Sequence, residues 1–191
     1  NQVLEHGAEI YSGYLDDKDF VNEIETKRRA RDFFTIRFTF DALRNTYPHH
    51  YETIFMEFIK MLVFDAFIGN NDRHFYNWAI IKHLHNKHHP FFSPVYDTAR
   101  ALFWNYPEDK ITNFSKNVDL REAQLEKYIQ KSKPKIGVEK FLNSNHTDII
   151  KVLCSNEFPD TSEVVLELIN KEKLEKCLDM IHTDLVPLFS K

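Results

Sequence analysis

The sequence predicts an α+β, mainly helical fold. Two observations carry that expectation. Apolar residues recur at helical spacing from residue 51 to 68, and again in several stretches from about residue 120 to the end. Between those tracts lie two β-prone runs, 78–81 and 91–96, separated by the polar stretch His85-Asn86-Lys87-His88-His89-Pro90; together they read as a hairpin. A chain of 191 residues fits one ordinary domain, or one large lobe of a two-lobed molecule, and is long enough to bury a hydrophobic core.

Taken in order, residues 1–50 read as a connecting region. Within it, Phe20 and Ile24 among charges predict a helix from 17 to about 31. In the run 33–40, Phe34, Ile36 and Phe38 alternate with Thr35, Arg37 and Thr39, the period of a strand. From 51 to 68, Ile54, Phe58, Met61, Leu62, Phe64 and Ile68 place apolar residues nearly all round, which predicts a buried central helix. Gly69 and Asn70 supply its stop, since both tolerate the left-handed conformation that closes a helix. Residues 71–77 are a polar loop, followed by the hairpin. Helices are predicted over 120–129, 138–142, 148–153, 163–169 and 173–185, and Pro159-Asp160-Thr161-Ser162 suits the N-cap region before Glu163. The organisation expected is a connecting region 1–50 and a lobe 51–191, with a helical subdomain over 118–191.

Composition narrows the function classes. The net charge of −4 provides no basic field for nucleic acid, and the densest basic run, Lys27, Arg28, Arg29 and Arg31, reads as a solvated helix face. The longest apolar stretch, 61–68, is interrupted by Asp65 and falls far short of the roughly 20 residues needed to span a bilayer. Cys154 and Cys177 lack metal-ligand spacing and read as reduced thiols of a cytoplasmic protein. His83, His85, His88 and His89 invite a zinc reading, but with no cysteine nearby a solvated hairpin tip is the simpler expectation. The chain opens with Asn1 rather than Met, which suggests either a processed product or a piece cut from a longer polypeptide, the second being the expectation favoured.

The chemistry lies in Asn71-Asp72-Arg73-His74-Phe75-Tyr76-Asn77 and, about twenty residues on, Tyr96-Asp97. Phosphoryl transfer needs a group that accepts or orients the nucleophile's proton, and oxygen ligands that hold Mg²⁺ against a triphosphate. Asp72 suits the first task. An asparagine five positions later and an aspartate across a hairpin are the parts protein kinases use for the second. If the hairpin turns near Lys87 and His88, paired residue numbers sum to about 175, so Asn77 faces Thr98 and lies beside Asp97, on strands about 4.8 Å apart. Asp and Asn also form turns for purely local reasons; it is the helix, its stop, the motif and the hairpin together that favour chemistry. Arg73 and Arg100 flank the site and suit either phosphate or a carboxylate such as Asp65, whose charge within an apolar helix needs a partner.

The stretch 64–77, with its Ile68-Gly69-Asn70-x-Asp72-x-His74-x-x-Asn77 pattern, and the segment 92–97 ending in Tyr96-Asp97 resemble the C-terminal domain of HipA-type serine/threonine kinases. These are bacterial toxin kinases whose fold is related to protein kinases and phosphoinositide kinases. The resemblance is clear over about 51–101. It implies a kinase-like C-lobe, with Asp72 as the catalytic aspartate and Asn77 and Asp97 as ligands of Mg²⁺. It further implies transfer of the γ-phosphoryl group of ATP to a serine or threonine of a protein, and an antitoxin protein as a possible partner. His74, Tyr96 and Arg73 are the candidates for nucleotide or phosphate contact. His74 follows the aspartate rather than preceding it, the order of the HipA and phosphoinositide-kinase branch.

The departures from that pattern are specific. Four glycines stand where average usage would place about 13, and Gly7, Gly13, Gly69 and Gly137 form no phosphate-binding cluster. No strand lysine precedes the first helix to hold the α and β phosphates. The expectation is a C-lobe without its N-lobe, weakly active or inactive alone. The alternatives are a phosphoinositide or small-molecule kinase, and a non-catalytic pseudokinase or antitoxin-binding module.

Overall fold

The computed structural model describes residues 1–85, 88–139, 141 and 143–189. Its centre is the helix expected over 51–68, α5 (Tyr51–Ile68), which buries Ile54, Phe55, Phe58, Ile59, Met61, Leu62 and Val63. At about 1.5–3 kcal/mol for each large apolar side chain removed from water, this one helix supplies much of the burial free energy. Around it pack α4 (Ile36–Thr46), α8 (His146–Leu153) and α9 (Pro159–Leu168). The aromatic core joins α5 to the loop that follows: Phe58 meets Trp78 edge-on at 5.2 Å, and Trp78 meets Tyr11 at 5.8 Å.

The sheet has three antiparallel strands in the order β1 (Gln2–His6), β2 (Ala79–His83), β3 (Phe91–Phe92). Strand β1 lies inside the region read from sequence as a connection, and it pairs along the whole of β2, Leu4 opposite Ile81. It runs into α1 (Gly7–Leu15), whose first amides, Gly7 and Ala8, donate to the carbonyls of Trp78 at 3.2 Å and Phe75 at 3.0 Å. The N-terminal segment is thereby tied to the end of the 71–77 loop.

The hairpin forms with a different register. Ile80 faces Phe92 and Ile81 faces Phe91, so paired numbers sum to 172 rather than about 175. Extended by the same count, Asn77 is level with Val95, not Thr98. Strand β3 stops at Phe92, two residues before Pro94, which has no N–H to extend the ladder. The expected turn residue Lys87 lies outside the described residues.

The run 33–40 is not a strand. It spans the end of α3 (Ala30–Phe33), an extended Thr35, and the start of α4. Thr35 is the N-cap, its Oγ1 accepting the Phe38 N–H at 3.2 Å. Within α4 the buried residues are Ile36, Thr39, Ala42 and Leu43, at spacings of three and four. The alternation that suggests a strand therefore straddles a junction. The helix expected over 17–31 is only α2 (Phe20–Thr26), closed by Arg28 at a φ of 54°. The basic run thus does not share one face, and Arg31 turns inward to donate to the Ser144 carbonyl at 2.5 Å.

From residue 108 onward the chain is mainly helical. This part contains α6 (Glu108–Lys116), which the sequence reading lacks, then α7 (Val118–Lys131), α8, α9 and α10 (Lys171–Phe189). The expected helix 138–142 is absent from its described part: Val138 and Phe141 form a bridge, and residues 140 and 142 lie outside the described residues. Helix α9 begins at Pro159, with Phe158 rather than 160–162 as N-cap. Thr161 is inside the helix, its hydroxyl donating to the Leu153 carbonyl at 2.5 Å. Among the described residues no helix is long and apolar enough to cross a membrane.

Candidate active site

Gly69 ends α5 at a φ of 62°, a conformation that strains residues with a Cβ. A Cβ there would also lie 2.3 Å from the Tyr128 ring. The Gly69 carbonyl accepts from the Tyr128 hydroxyl at 2.8 Å and from Ser132 Oγ at 2.9 Å, so α7 braces the point where the chain leaves the central helix.

The loop that follows is built on Asp65 and Asn70, both buried. The Asn70 amide donates to Asp65 Oδ1 at 2.9 Å, while its Oδ1 accepts the Asp72 N–H at 3.1 Å. Asp65 also answers the question its charge poses in the sequence. Arg73 Nε and Nη2 donate to its two oxygens at 2.8 and 2.9 Å, and the pair is 0% and 1% exposed. The same guanidinium donates through Nη1 to the carbonyls of Asn77 at 2.6 Å and Tyr96 at 2.5 Å. Arg73 therefore has no face left for a phosphate. The candidate phosphate contact is an internal clasp that holds the loop 71–77 against the segment carrying Asp97.

Within the loop, the Asp72 carbonyl accepts from the His74 N–H at 2.8 Å and from Asn77 Nδ2 at 2.9 Å. Spending the Asn77 nitrogen in this way leaves Oδ1 as its available atom. Asp97 is exposed at a φ of 53° and has no hydrogen-bond or ion-pair partner among the described residues. One amide oxygen and one unpaired carboxylate, adjoining segments held by one guanidinium, fit a hard divalent cation that takes its remaining ligands from water and phosphate. Among the described residues, this site included, no three His, Cys, Asp or Glu side chains converge as a metal site. The hairpin histidines are paired at most: His83 with His88 at 4.4 Å between ring centres, and His89 with His50 at 4.6 Å.

His74 is half-buried, and burial holds its pKa below the ordinary histidine value, against the pull of Asp72, Glu25 and Asp97. Its Nδ1 accepts the Tyr76 N–H at 3.2 Å, so the neutral ring carries its proton on Nε2. That tautomer is a donor, suited to an anion. Tyr96 is committed elsewhere: its hydroxyl donates to the Tyr76 carbonyl at 3.0 Å and meets His6 Nδ1 at 3.0 Å. Burial pushes its pKa up to about 12. Tyr96 thus bridges β1 to the loop rather than pointing at a ligand.

The structure gives a partner to Arg100, which the sequence places beside the site, and adds Lys135, which the sequence does not single out. Arg100 reaches Asp72, Nε to Oδ2 at 3.3 Å and Nη1 to Oδ1 at 3.4 Å. Lys135, in the segment between α7 and α8, adds positive charge near His74. Lys135 is far from the loop in sequence, so only the folded chain brings it near His74.

A mainly helical body on a small antiparallel sheet, with this loop between the central helix and the hairpin, is kinase-like. A crystal structure of a Helicobacter pylori proinflammatory kinase, CtkA, superimposes with a TM-score of 0.65 and 16% identity, covering 94% of this chain and 58% of that one. At that identity the likeness speaks for the fold alone, and the chain spans little more than half the length of that kinase. The chain belongs to the HipA-like C-terminal domain family, whose match extends over residues 18–171. No curated protein sequence matches it.

Proposed function

We propose that this chain is the catalytic C-lobe of an ATP- and Mg²⁺-dependent kinase that phosphorylates a serine or threonine of a protein. The observation that carries the reading is the Arg73 clasp. One buried guanidinium holds Asp65, the Asn77 carbonyl and the Tyr96 carbonyl, so the proton acceptor Asp72 and the ligand pair Asn77 and Asp97 belong to one rigid unit. A scaffold does not require that arrangement.

In this reading Asp72 accepts the proton of the substrate hydroxyl as its oxygen bonds to the γ-phosphorus. The bond from that phosphorus to the β–γ bridging oxygen breaks, and ADP leaves. Mg²⁺, held by Asn77 Oδ1 and Asp97, would neutralise charge on the phosphate oxygens. His74 Nε2–H donates to a phosphate oxygen. The contacts to the α and β phosphates and the adenine come from an N-lobe, and an antitoxin protein is a partner of the whole molecule in the cytoplasm of a bacterium. These last elements rest on the family.

The test is a pair of variants in the whole protein that carries this chain. Asp72→Asn should leave Mg²⁺-ATP affinity within a few-fold while turnover falls by about 10²-fold or more. Asp97→Asn should weaken both, since a neutral amide is a poorer ligand for a hard cation. Normal turnover in either variant, with circular dichroism showing a folded protein, would overturn the assignment.

A further inference from the structure

We propose that Arg100 is a catalytic residue that alternates between two anions: it rests on Asp72 in the absence of nucleotide and turns to the γ-phosphoryl group during transfer. The inference rests on the kinase reading above and assigns a role to a residue outside the motif.

Three observations support it. First, Arg100 is the only cation paired with Asp72 among the described residues, and its guanidinium occupies both oxygens of the carboxylate, at 3.3 and 3.4 Å. The Arg100 N–H groups take one lone-pair site on each oxygen, so they compete with the substrate hydroxyl for the carboxylate. A γ-phosphate arriving beside Asp72 would in turn compete with the carboxylate for the guanidinium. The separations within the pair are at the long end of hydrogen bonding and the Arg100 side chain is 51% exposed, so the pair is weak and exchangeable.

Second, only the side chain needs to move. The Arg100 carbonyl accepts the Asn71 N–H at 3.3 Å, and the Leu102 N–H donates to the Ile68 carbonyl at 2.6 Å, so the backbone on both sides is pinned to the end of α5 and the loop. The guanidinium also lies over the Trp104 ring, 5.4 Å from its centre, a surface along which it can swing while remaining partly desolvated.

Third, among the described residues no other guanidinium meets Asp72. Charge spreads over the equatorial oxygens of the transferring group, and a positioned guanidinium meets two such oxygens in parallel. Arg73 is fully buried and has its N–H groups on Asp65, Asn77 and Tyr96. Lys135 adds its charge near His74, and an ammonium lacks the planar fork that meets two oxygens at once. Among the described residues, Arg100 alone has a guanidinium at the Asp72 carboxylate, where the phosphoryl acceptor must sit. In the proposed cycle, arrival of the γ-phosphate draws Arg100 off Asp72, and the freed carboxylate takes the hydroxyl proton. Base activation and phosphate binding become one motion.

The test compares Arg100→Met and Arg100→Lys with wild type in the whole protein, titrating Mg²⁺-ATP and Mg²⁺-ADP directly and measuring turnover separately. A contact to the γ-phosphate predicts that Arg100→Met loses about tenfold or more in ATP affinity, the scale of a charge-assisted hydrogen bond, while ADP affinity stays within about twofold. Arg100→Lys should fall between, since it keeps the charge and loses the fork. If the ratio of ATP to ADP affinity is unchanged in both folded variants, the inference fails and the kinase reading survives. Faster turnover in Arg100→Met with that ratio unchanged also overturns it, because Arg100 would then be only an inhibitory latch. Should Arg100→Met not fold, a wild-type affinity ratio and turnover in Arg100→Lys are sufficient to reject it. A wild-type protein that binds no Mg²⁺-ATP overturns both this inference and the reading beneath it.

Discussion

Replacing Asp65 with Asn tests whether the clasp is the structural basis of the site. The change keeps the shape of the side chain and removes the charge facing a guanidinium that is 0% exposed. It breaks a pair of contacts at 2.8 and 2.9 Å and disturbs the Asn70 amide, which donates to the same carboxylate at 2.9 Å. Removing one partner of a buried ion pair leaves the other desolvated and uncompensated, a cost of about 3–5 kcal/mol. For a chain of this length, the lower bound corresponds to a fall of about 6–12 °C in melting temperature. Urea and thermal unfolding followed by circular dichroism measure it. Asp65→Leu combined with Arg73→Met should be less destabilising than the two single changes added together, by about 2 kcal/mol or more, because no buried charge is stranded. The combined variant should still lose turnover, since the carbonyls of Asn77 and Tyr96 no longer share a donor. An Asp65→Asn protein within about 1 kcal/mol of wild type would refute the reasoning, as would simple additivity of the two single changes.

Three further outcomes follow from particular contacts. Gly69→Ala should cost about 2–3 kcal/mol, combining a left-handed Ala with displacement of the Tyr128 ring and loss of its hydrogen bond to the Gly69 carbonyl; denaturant unfolding measures it. Thr35→Ala should cost about 1 kcal/mol through loss of the α4 N-cap, and a change well above that would mean that its contact with Glu139 matters more than the cap. His146 is held below the ordinary histidine pKa by burial, with Arg31 adding to the shift and Asp65 and the Asn70 main chain opposing it. The unfolded chain therefore binds more protons just below about pH 6.5, so this group's contribution is present above that pH and lost as pH falls through the folded-state value. Unfolding free energies at pH 7.5 and 5.5 should accordingly converge in His146→Gln relative to wild type; an unchanged difference would place the titration elsewhere.

The sequence by itself determined the central helix, its glycine stop and the identity of the loop residues. Each of these is local. The apolar set of 51–68, the left-handed tolerance of Gly69 and the Asp72-x-x-x-x-Asn77 spacing lie within a few turns of chain and can be read without knowing what packs against them. Locality also explains the false strand. The alternation at 33–40 crosses a cap, and only the longer window to Thr46 reveals helical spacing. What tertiary structure decided involves partners far apart in sequence. Strand β1 is recognisable only beside β2, about 77 residues away. The hairpin register shifted by three because pairing, not turn arithmetic, sets it, and Asp97 adjoins the loop through Arg73 and the Tyr96 carbonyl instead of through a strand partner. The role of Arg73 itself was open in the sequence, where phosphate and Asp65 were equal claimants. Burial decided it, because a guanidinium removed from water must satisfy its donors inside the fold, and the carboxylate and carbonyls of Asp65, Asn77 and Tyr96 were the acceptors that folding placed around it.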